Sequence, residues 1–478
     1  MADLKQMLKR ERLLKIWVSF KMHRKRVARR IGRTVIIMVF GGLITSGPVF
    51  AGDLFESYLK AAETSPVLKQ ARAMLDVNRA DRQRAKAALM PKVTAGGQIR
   101  RENADIKGFG EDFSGPALPG DVFQDINETY TGGSYSVTLV QPLVDGQAWS
   151  AKDAAENLVR AGQAAVMAAE QDLTARVIEA YFNVLNARSR LRVAESRKKL
   201  LSEILDQARA ALNVGSGDII SVQEAKARYD AAESGLISAK NQVQIARREL
   251  ERLTHEPVGQ ITDVCVISPE GPAPASIGPW LETAKSRQPA LMEASRMLAS
   301  AEDQVRIAGR ARWPDLDLNA GYGYSKGDFM PSVETKKARV GLMVRLPIYL
   351  GGEIGASVAR ARSEAAAARF QLEDMQDQVM LNVETAFVSL QNSVARFEAA
   401  AQALTSSEVS LAATRKGYEV GTRTVVDLLS ATQDHTDVRQ SYYQSLYDHI
   451  LARVRLKWAA GVLSQKDVAD INSLLICN

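Results

Sequence analysis

Cysteine, histidine and long apolar runs are all scarce in this 478-residue chain. Its two cysteines, Cys265 and Cys477, allow at most one bridge and fit two lone buried thiols equally well. Beyond residue 51 the histidines are His255, His435 and His449, far apart and without metal-ligand spacing. No phosphate-cradling glycine loop opens a helix, because the run 321–327 (GYGYSKG) reads as a strand and its turn. Carboxylate–histidine neighbours such as Glu251 and His255 share helix faces and read as solvated charge. No catalytic constellation emerges, and neither a cofactor nor a metal is called for. Past the first 51 residues no stretch is apolar enough to cross a membrane as a helix, so any crossing must be made by strands. Proline is absent from 147–213 and again from 352–419, which permits two uninterrupted helices.

The formal net charge of +7 suggests a nucleic-acid or membrane-surface binder until the charges are located. Twelve Lys and Arg against two acids fall within residues 1–33, leaving 50 basic and 53 acidic residues elsewhere. The basicity belongs to a leader, and no nucleic-acid partner is expected. Residues 1–51 read as a secretory signal: a basic stretch, the apolar segment 34–44, then Val49-Phe50-Ala51 before Gly52. An uncleaved anchor is disfavoured by the short apolar segment and by Gly47-Pro48. Met22 offers an alternative start with a more ordinary leader. Glycine rather than cysteine follows the cut, so no thiol is offered there for lipid attachment.

Beyond the leader the chain is written twice. Pro91 recurs as Pro314, Pro142 as Pro347, Glu179-Ala180-Tyr181-Phe182 as Glu384-Thr385-Ala386-Phe387, and Val214-Gly215 as Val420-Gly421. The ordered anchors predict an internal duplication, with repeat one at 52–256, a Pro- and Gly-rich linker at 257–278 and repeat two at 279–478. Each copy reads as a helix, two strands, a long helix, a turn and a shorter helix. Heptad-spaced Val177, Val184, Leu191 and Leu205, and likewise Val383, Leu390, Phe397, Leu404 and Leu411, predict coiled-coil packing. At 1.5 Å per residue each long helix reaches roughly 100 Å. The flanking helices, at 53–90, 219–254, 279–311 and 425–462, are about half as long, so two can lie end to end along each long one. An ordinary helical bundle would explain the seams but not that length. Within the linker, 261–266 could form a short strand.

Four segments alternate with period two: 93–100, 135–139, 316–324 and 339–348. Val340, Leu342, Val344, Leu346 and Ile348 oppose Arg339, Gly341, Met343 and Arg345, and Leu316 to Tyr324 repeats the pattern. A soluble sheet packed on a helix is the ordinary reading of isolated hairpins. The lengths also suit a tilted bilayer crossing, with Trp313, Tyr322, Tyr324 and Tyr349 as interfacial aromatics. Four strands cannot close around a lumen, so in lipid they must share a barrel with other copies, about twelve strands for three chains. The loop 102–128 is expected on the outside of the cell.

The duplicated plan, the two hairpins and the two Val-Gly turns resemble the TolC-type outer-membrane factors over nearly all of the chain past the leader. The most specific stretch is 418–430 (YEVGTRTVVDLLS), similar to that family's second helix–turn–helix tip, whose glycine makes the reversal. The resemblance implies an α+β membrane protein: a trimeric duct in the outer membrane, reaching into the periplasm. Each protomer would give four strands to a shared barrel embedded in outer-membrane lipid. It implies passive conduction of drugs or of secreted proteins, fed by an inner-membrane transporter through a periplasmic adaptor, and no enzymatic activity. It implies an entrance gate of Tyr418, Arg423 and Asp427, with Tyr418 and Arg423 tying neighbouring coils and Asp427 forming an acidic ring. It also implies hairpin-tip turns at Gly215 and Gly421 for adaptor contact. Ser430 stands where the family's second acidic ring would be, and Ser221 where its bonding aspartate would be, so Arg423 is left Asp218 or Asp427 as partners. The runner-up reading is a periplasmic adaptor or a coiled-coil structural protein of the envelope.

Overall fold

A computed structural model describes residues 53–106, 126–259, 261–264, 268–327 and 333–475. The leader, Cys265, Cys477 and most of the loop 102–128 lie outside them. Among the described residues the chain runs α1 (Leu54–Thr64), α2 (Pro66–Ala88), β1 (Lys92–Ile106), β2 (Ile126–Val144), α3 (Gly146–Asn213), α4 (Ile219–Thr254), α5 (Gly278–Arg287), α6 (Pro289–Arg310), β3 (Asp315–Gly327), β4 (Val333–Arg345), α7 (Glu353–Glu419), α8 (Val425–Ala459) and α9 (Gln465–Ser473).

The long helices α3 and α7 have 68 and 67 residues, as their lack of proline allows. The expected single helices at 53–90 and 279–311 are each broken in two. Ser65 and Gln288 adopt ψ of 117° because each precedes a proline, which excludes the helical conformation from the residue before it. The two breaks, at Pro66 and Pro289, are separated by the same 223 residues that separate Pro91 from Pro314. Helices α2 and α4 lie along successive lengths of α3, while α6 and α8 do the same along α7. Helix α9, which periodicity did not single out, returns to the start of the fold. There Asn472 accepts the Phe55 N–H at 3.4 Å and donates to Asp53 at 2.6 Å. In the linker, Ile261 makes only an isolated bridge, so no strand spans 261–264.

The four strands form one antiparallel sheet in the order β1-β2-β3-β4, with β1 and β4 at its edges. Strands β1 and β2 extend further into the 102–128 segment than expected, whereas β4 stops at Arg345, short of Leu346 and Ile348. Register decides what the sheet is for. Val93 lies opposite Leu139, which lies opposite Ala320, which lies opposite Val340; in the same way Ala95, Val137, Tyr322 and Ala338 share a row. One face is therefore apolar across all four strands, although Val340 and Val344 are 78% and 66% exposed. No described strand residue is buried, and no described helix covers either face. A sheet of this kind has no core of its own and needs an apolar surrounding on one side.

The buried cores lie among the helices. The largest surrounds Tyr181 and Phe182 of α3, where α1, α4, α8 and α9 converge. A second joins Trp280, Val383, Phe387 and Leu456, and a third lies toward the helical turns, around Leu201, Leu205, Val222 and Leu428. None of the described helices is long and apolar enough to cross a membrane.

Candidate functional site: the paired hairpin tips

At the far end of α3 and α7 the chain reverses twice by the same device. Gly215 has φ +78° and Gly421 φ +77°, the left-handed region in which a side chain is strained. Nothing stands within 4 Å of a Cβ built on either, so the requirement there is conformational alone. Gly215 N–H donates to the Leu212 carbonyl and Ser216 N–H to that of Ala211, both at 3.0 Å. Gly421 to Tyr418 at 3.0 Å and Thr422 to Gly417 at 2.8 Å repeat the pair 206 residues on. The hydroxyls of Ser216 and Thr422 add matching bonds to the same two carbonyls, Ala211 and Gly417, at 3.2 and 3.1 Å.

The helices that leave these turns are capped by one chemical pair with its members exchanged. In the first tip Asp218 caps α4, accepting from the Ser221 N–H at 2.8 Å and the Ser221 hydroxyl at 2.7 Å. In the second, Thr424 caps α8 and accepts the Asp427 N–H at 3.1 Å, while the Asp427 carboxylate accepts the Thr424 N–H and hydroxyl at 2.9 Å each. This is a capping box, which satisfies amides at the open helix start. The Thr424 amide, then its hydroxyl, holds the Asp427 carboxyl below the usual carboxylate range, with Arg423 adding attraction. The Ser221 amide and hydroxyl do the same for Asp218. Asp427 is thus an ionised group with a structural duty as well as a charge, which the sequence resemblance did not reveal; the spacing T-x-x-D could have.

Arg423 is exposed and, among the described residues of its own chain, forms no ion pair with Asp218 or Asp427, so neither expected partner is engaged. Room for its side chain comes from Gly417, six residues earlier. A Cβ on Gly417 would stand 2.7 Å from Arg423 Cγ. The first tip solves the same crowding in reverse. There Ala211 keeps its methyl group and Gly217 gives way, since a Cβ on Gly217 would lie 3.0 Å from that of Ala211. Tyr418 is half-buried against the third core, alongside α3, α4 and α8. Arg415 of α7 meets Glu203 of α3 at 3.3 Å, joining the two hairpins near their tips. Val214, Ile220 and Val420 are exposed there, at 79%, 67% and 68%.

The outer membrane efflux protein family matches this chain over residues 58–255 and 280–462. The chain belongs to that family. Among the relatives of this efflux protein is outer membrane protein TolC of Escherichia coli (strain K12), 28% identical over 437 residues, covering 89% of this chain and 85% of the relative. Another is the alkaline protease secretion protein AprF of Pseudomonas aeruginosa, 26% identical over 451 residues, covering 91% and 90%. The solved Campylobacter jejuni CmeC outer membrane channel has the same fold, with a TM-score of 0.75 at 17% identity over 88% of this chain and 89% of that one. This efflux-family chain is an outer-membrane duct and not the adaptor of the runner-up reading. It belongs to the outer membrane and extends into the periplasm.

Proposed function

We propose that three copies of this chain assemble into one closed barrel of twelve strands, continued by a helical tunnel, and conduct substrate passively without catalysis. The observation that carries the reading is the four-stranded sheet, apolar across one face and unpaired at β1 and β4. In lipid each unsatisfied backbone group costs several kcal/mol, and closure through neighbouring copies removes every edge. Duplication of one ancestral unit, now 52–256 and 279–478 around the linker 257–278, accounts for the two matching tips.

Energy comes from an inner-membrane transporter reached through a periplasmic adaptor, and the tips at Gly215 and Gly421, with their exposed apolar side chains, are the surface that adaptor meets. Tyr418, Arg423 and Asp427 form the entrance gate: Asp427 supplies an acidic ring, and Arg423, without an ion-pair partner among the described residues, crosses to a neighbouring protomer. The secretion relative makes exported protein a candidate cargo beside small molecules.

The deciding experiment is detergent extraction followed by planar-bilayer recording. A trimer that resists mild denaturant and forms cation-selective channels is expected. Asp427→Asn, which keeps the shape of the cap and removes the charge, should weaken that selectivity and divalent-cation block. A well-behaved monomer with full β content would sink the duct, and unchanged selectivity would move the gate elsewhere.

A further inference from the structure

The face of the sheet opposite the apolar one is unevenly charged. Four consecutive rows of paired residues, beginning on β1 at Gln98, Gly96, Thr94 and Lys92, cross to Thr335, Lys337, Arg339 and Gly341 on β4. Two residues advance about 6.7 Å along a strand, so these rows span about 20 Å. Within them Lys92, Lys337 and Arg339 are the charged residues, and no carboxylate is present. The nearest described carboxylates on that face are Asp317 toward the helices and Glu102 toward the loops, and Glu102 is already paired with Arg100 at 3.2 Å.

The cations are also given room. Lys337 lies opposite Gly323 and Arg339 opposite Gly321, so each long side chain faces a position with no side chain. Arg339 uses the space: its Nε would be 3.3 Å from a Cβ on Gly321, which places the guanidinium stem across β3. Among the described residues none of the three forms an ion pair, and all are exposed. Gly321, which serves no phosphate-binding turn, leaves clearance for the Arg339 side chain, and Gly323 presents no side chain to Lys337.

We infer that the barrel lumen holds an anion-binding collar, made by Lys92, Lys337 and Arg339 of each protomer, that takes groups bearing several phosphates or carboxylates. The inference rests on the trimeric duct, because only closure brings three such sets around one axis. Lys337 and Arg339, two residues apart on β4, stand about 6.7 Å apart along the strand, within about a Debye length, and their potentials sum with those of Lys92 where low-dielectric walls focus them. Arginine adds bidentate recognition of oxyanions. The collar sits in the barrel, remote from the Asp427 ring at the helical end, so the two ends of the duct would discriminate on opposite signs of charge.

Inorganic tripolyphosphate, added on the barrel side of single channels in planar bilayers, is the probe. Wild-type channels should be blocked, and Lys337→Ser with Arg339→Ser should raise the half-blocking concentration at least tenfold. The charge-conserving pair Lys337→Arg and Arg339→Lys should leave it within about twofold. Denaturant-resistant trimers that conduct, yet show the same block in the serine variant or none in the wild type, overturn the collar alone. Absence of both trimers and channels overturns the collar together with the duct.

Discussion

Ser393 and His449 meet in a buried hydrogen bond of 2.8 Å, and Ser407 and His435 repeat the contact at 3.2 Å, fourteen residues along each of two antiparallel helices. A serine–histidine pair invites a nucleophile reading, but the protons run the wrong way. The Ser393 hydroxyl donates to the Leu390 carbonyl, and the His449 Nε2 accepts the Glu270 backbone N–H at 3.4 Å. Nδ1 must then carry the proton and donate to Ser393, so the imidazole cannot serve as base toward that hydroxyl. The pair is a clasp between α7, α8 and the linker.

That clasp predicts a pH effect. Burial, then Arg453, depresses the His449 pKa, with Glu270 opposing; Ser393 is the remaining polar neighbour. A base whose folded pKa is lowered is neutral in both states at pH 7.5 and carries no penalty there. Below about pH 6.5 His449 takes up a proton first in the state where the linker has opened from it, so opening is favoured until the folded value is reached. Hydrogen exchange at the Glu270 amide, corrected for its intrinsic rate, should accelerate at pH 5.5 in the wild type. In His449→Gln that pH dependence should vanish; persistence would assign it to another group.

Gly417→Ala separates stability from gating. Alanine is favoured over glycine within a helix by about 1 kcal/mol, so the trimer should dissociate at an unchanged or higher temperature. The new methyl group would displace the Arg423 stem, and the resting conductance should rise toward that of Arg423→Ser. A conductance identical to wild type would mean that Arg423 does not hold the entrance shut.

The capping carboxylates predict an acid limit. Asp218 and Asp427 both have lowered folded pKa values, so their contribution is complete above the ordinary aspartate value near pH 4. It is lost below that, as pH falls through the depressed folded value. Exchange at the Thr424 and Ser221 amides, which these carboxylates accept, should therefore stay protected at pH 5 and lose protection below pH 4. Asp427→Asn should abolish that transition in the second tip only.

In the proposed barrel one residue of register separates lipid from lumen. Leu342 lies on the apolar face and Met343 on the other. Leu342→Lys should cost about 2–4 kcal/mol near the bilayer midplane and reduce the yield of folded trimer, whereas Met343→Lys should assemble normally. The reverse order would invert the sheet.

Much of this fold is legible in residue patterns, for identifiable reasons. Helix α4 is anticipated at 219–254 because Gly215 and the Glu256-Pro257 step mark its limits, and the long helices because proline is missing from them. The breaks before Pro66 and Pro289 escape notice because apolar spacing continues across them, although proline acts on the preceding residue and not on the pattern. Alternation overruns β4 at Leu346 and Ile348 because period two continues after the ladder ends. Tyr418, Arg423 and Asp427 are singled out by resemblance, but Gly417 is not, since a glycine's role depends on what crosses it in space.

Helix α7 also carries a second apolar stripe, which the proposed trimer would cover. Its intramolecular seam, Val383, Leu390 and Phe397, is buried, yet Leu381, Val388 and Val409 are 62%, 50% and 66% exposed at seven-residue multiples. A residue two positions before the buried seam lies about 200° around the helix, so this second stripe faces away from the protomer. Heptad-spaced apolar residues on both sides of one helix are the pattern of a helix packed between two neighbours. In the trimer that neighbour is the adjoining copy. Burying each side chain is worth on the order of 2 kcal/mol, and the stripe is repeated at three interfaces. Leu381→Glu with Val388→Glu should therefore lower the temperature at which the denaturant-resistant trimer dissociates, without altering the helical content of the chain. If that temperature is unchanged, the stripe lines the tunnel or meets the adaptor, and the copies are held together by the barrel alone.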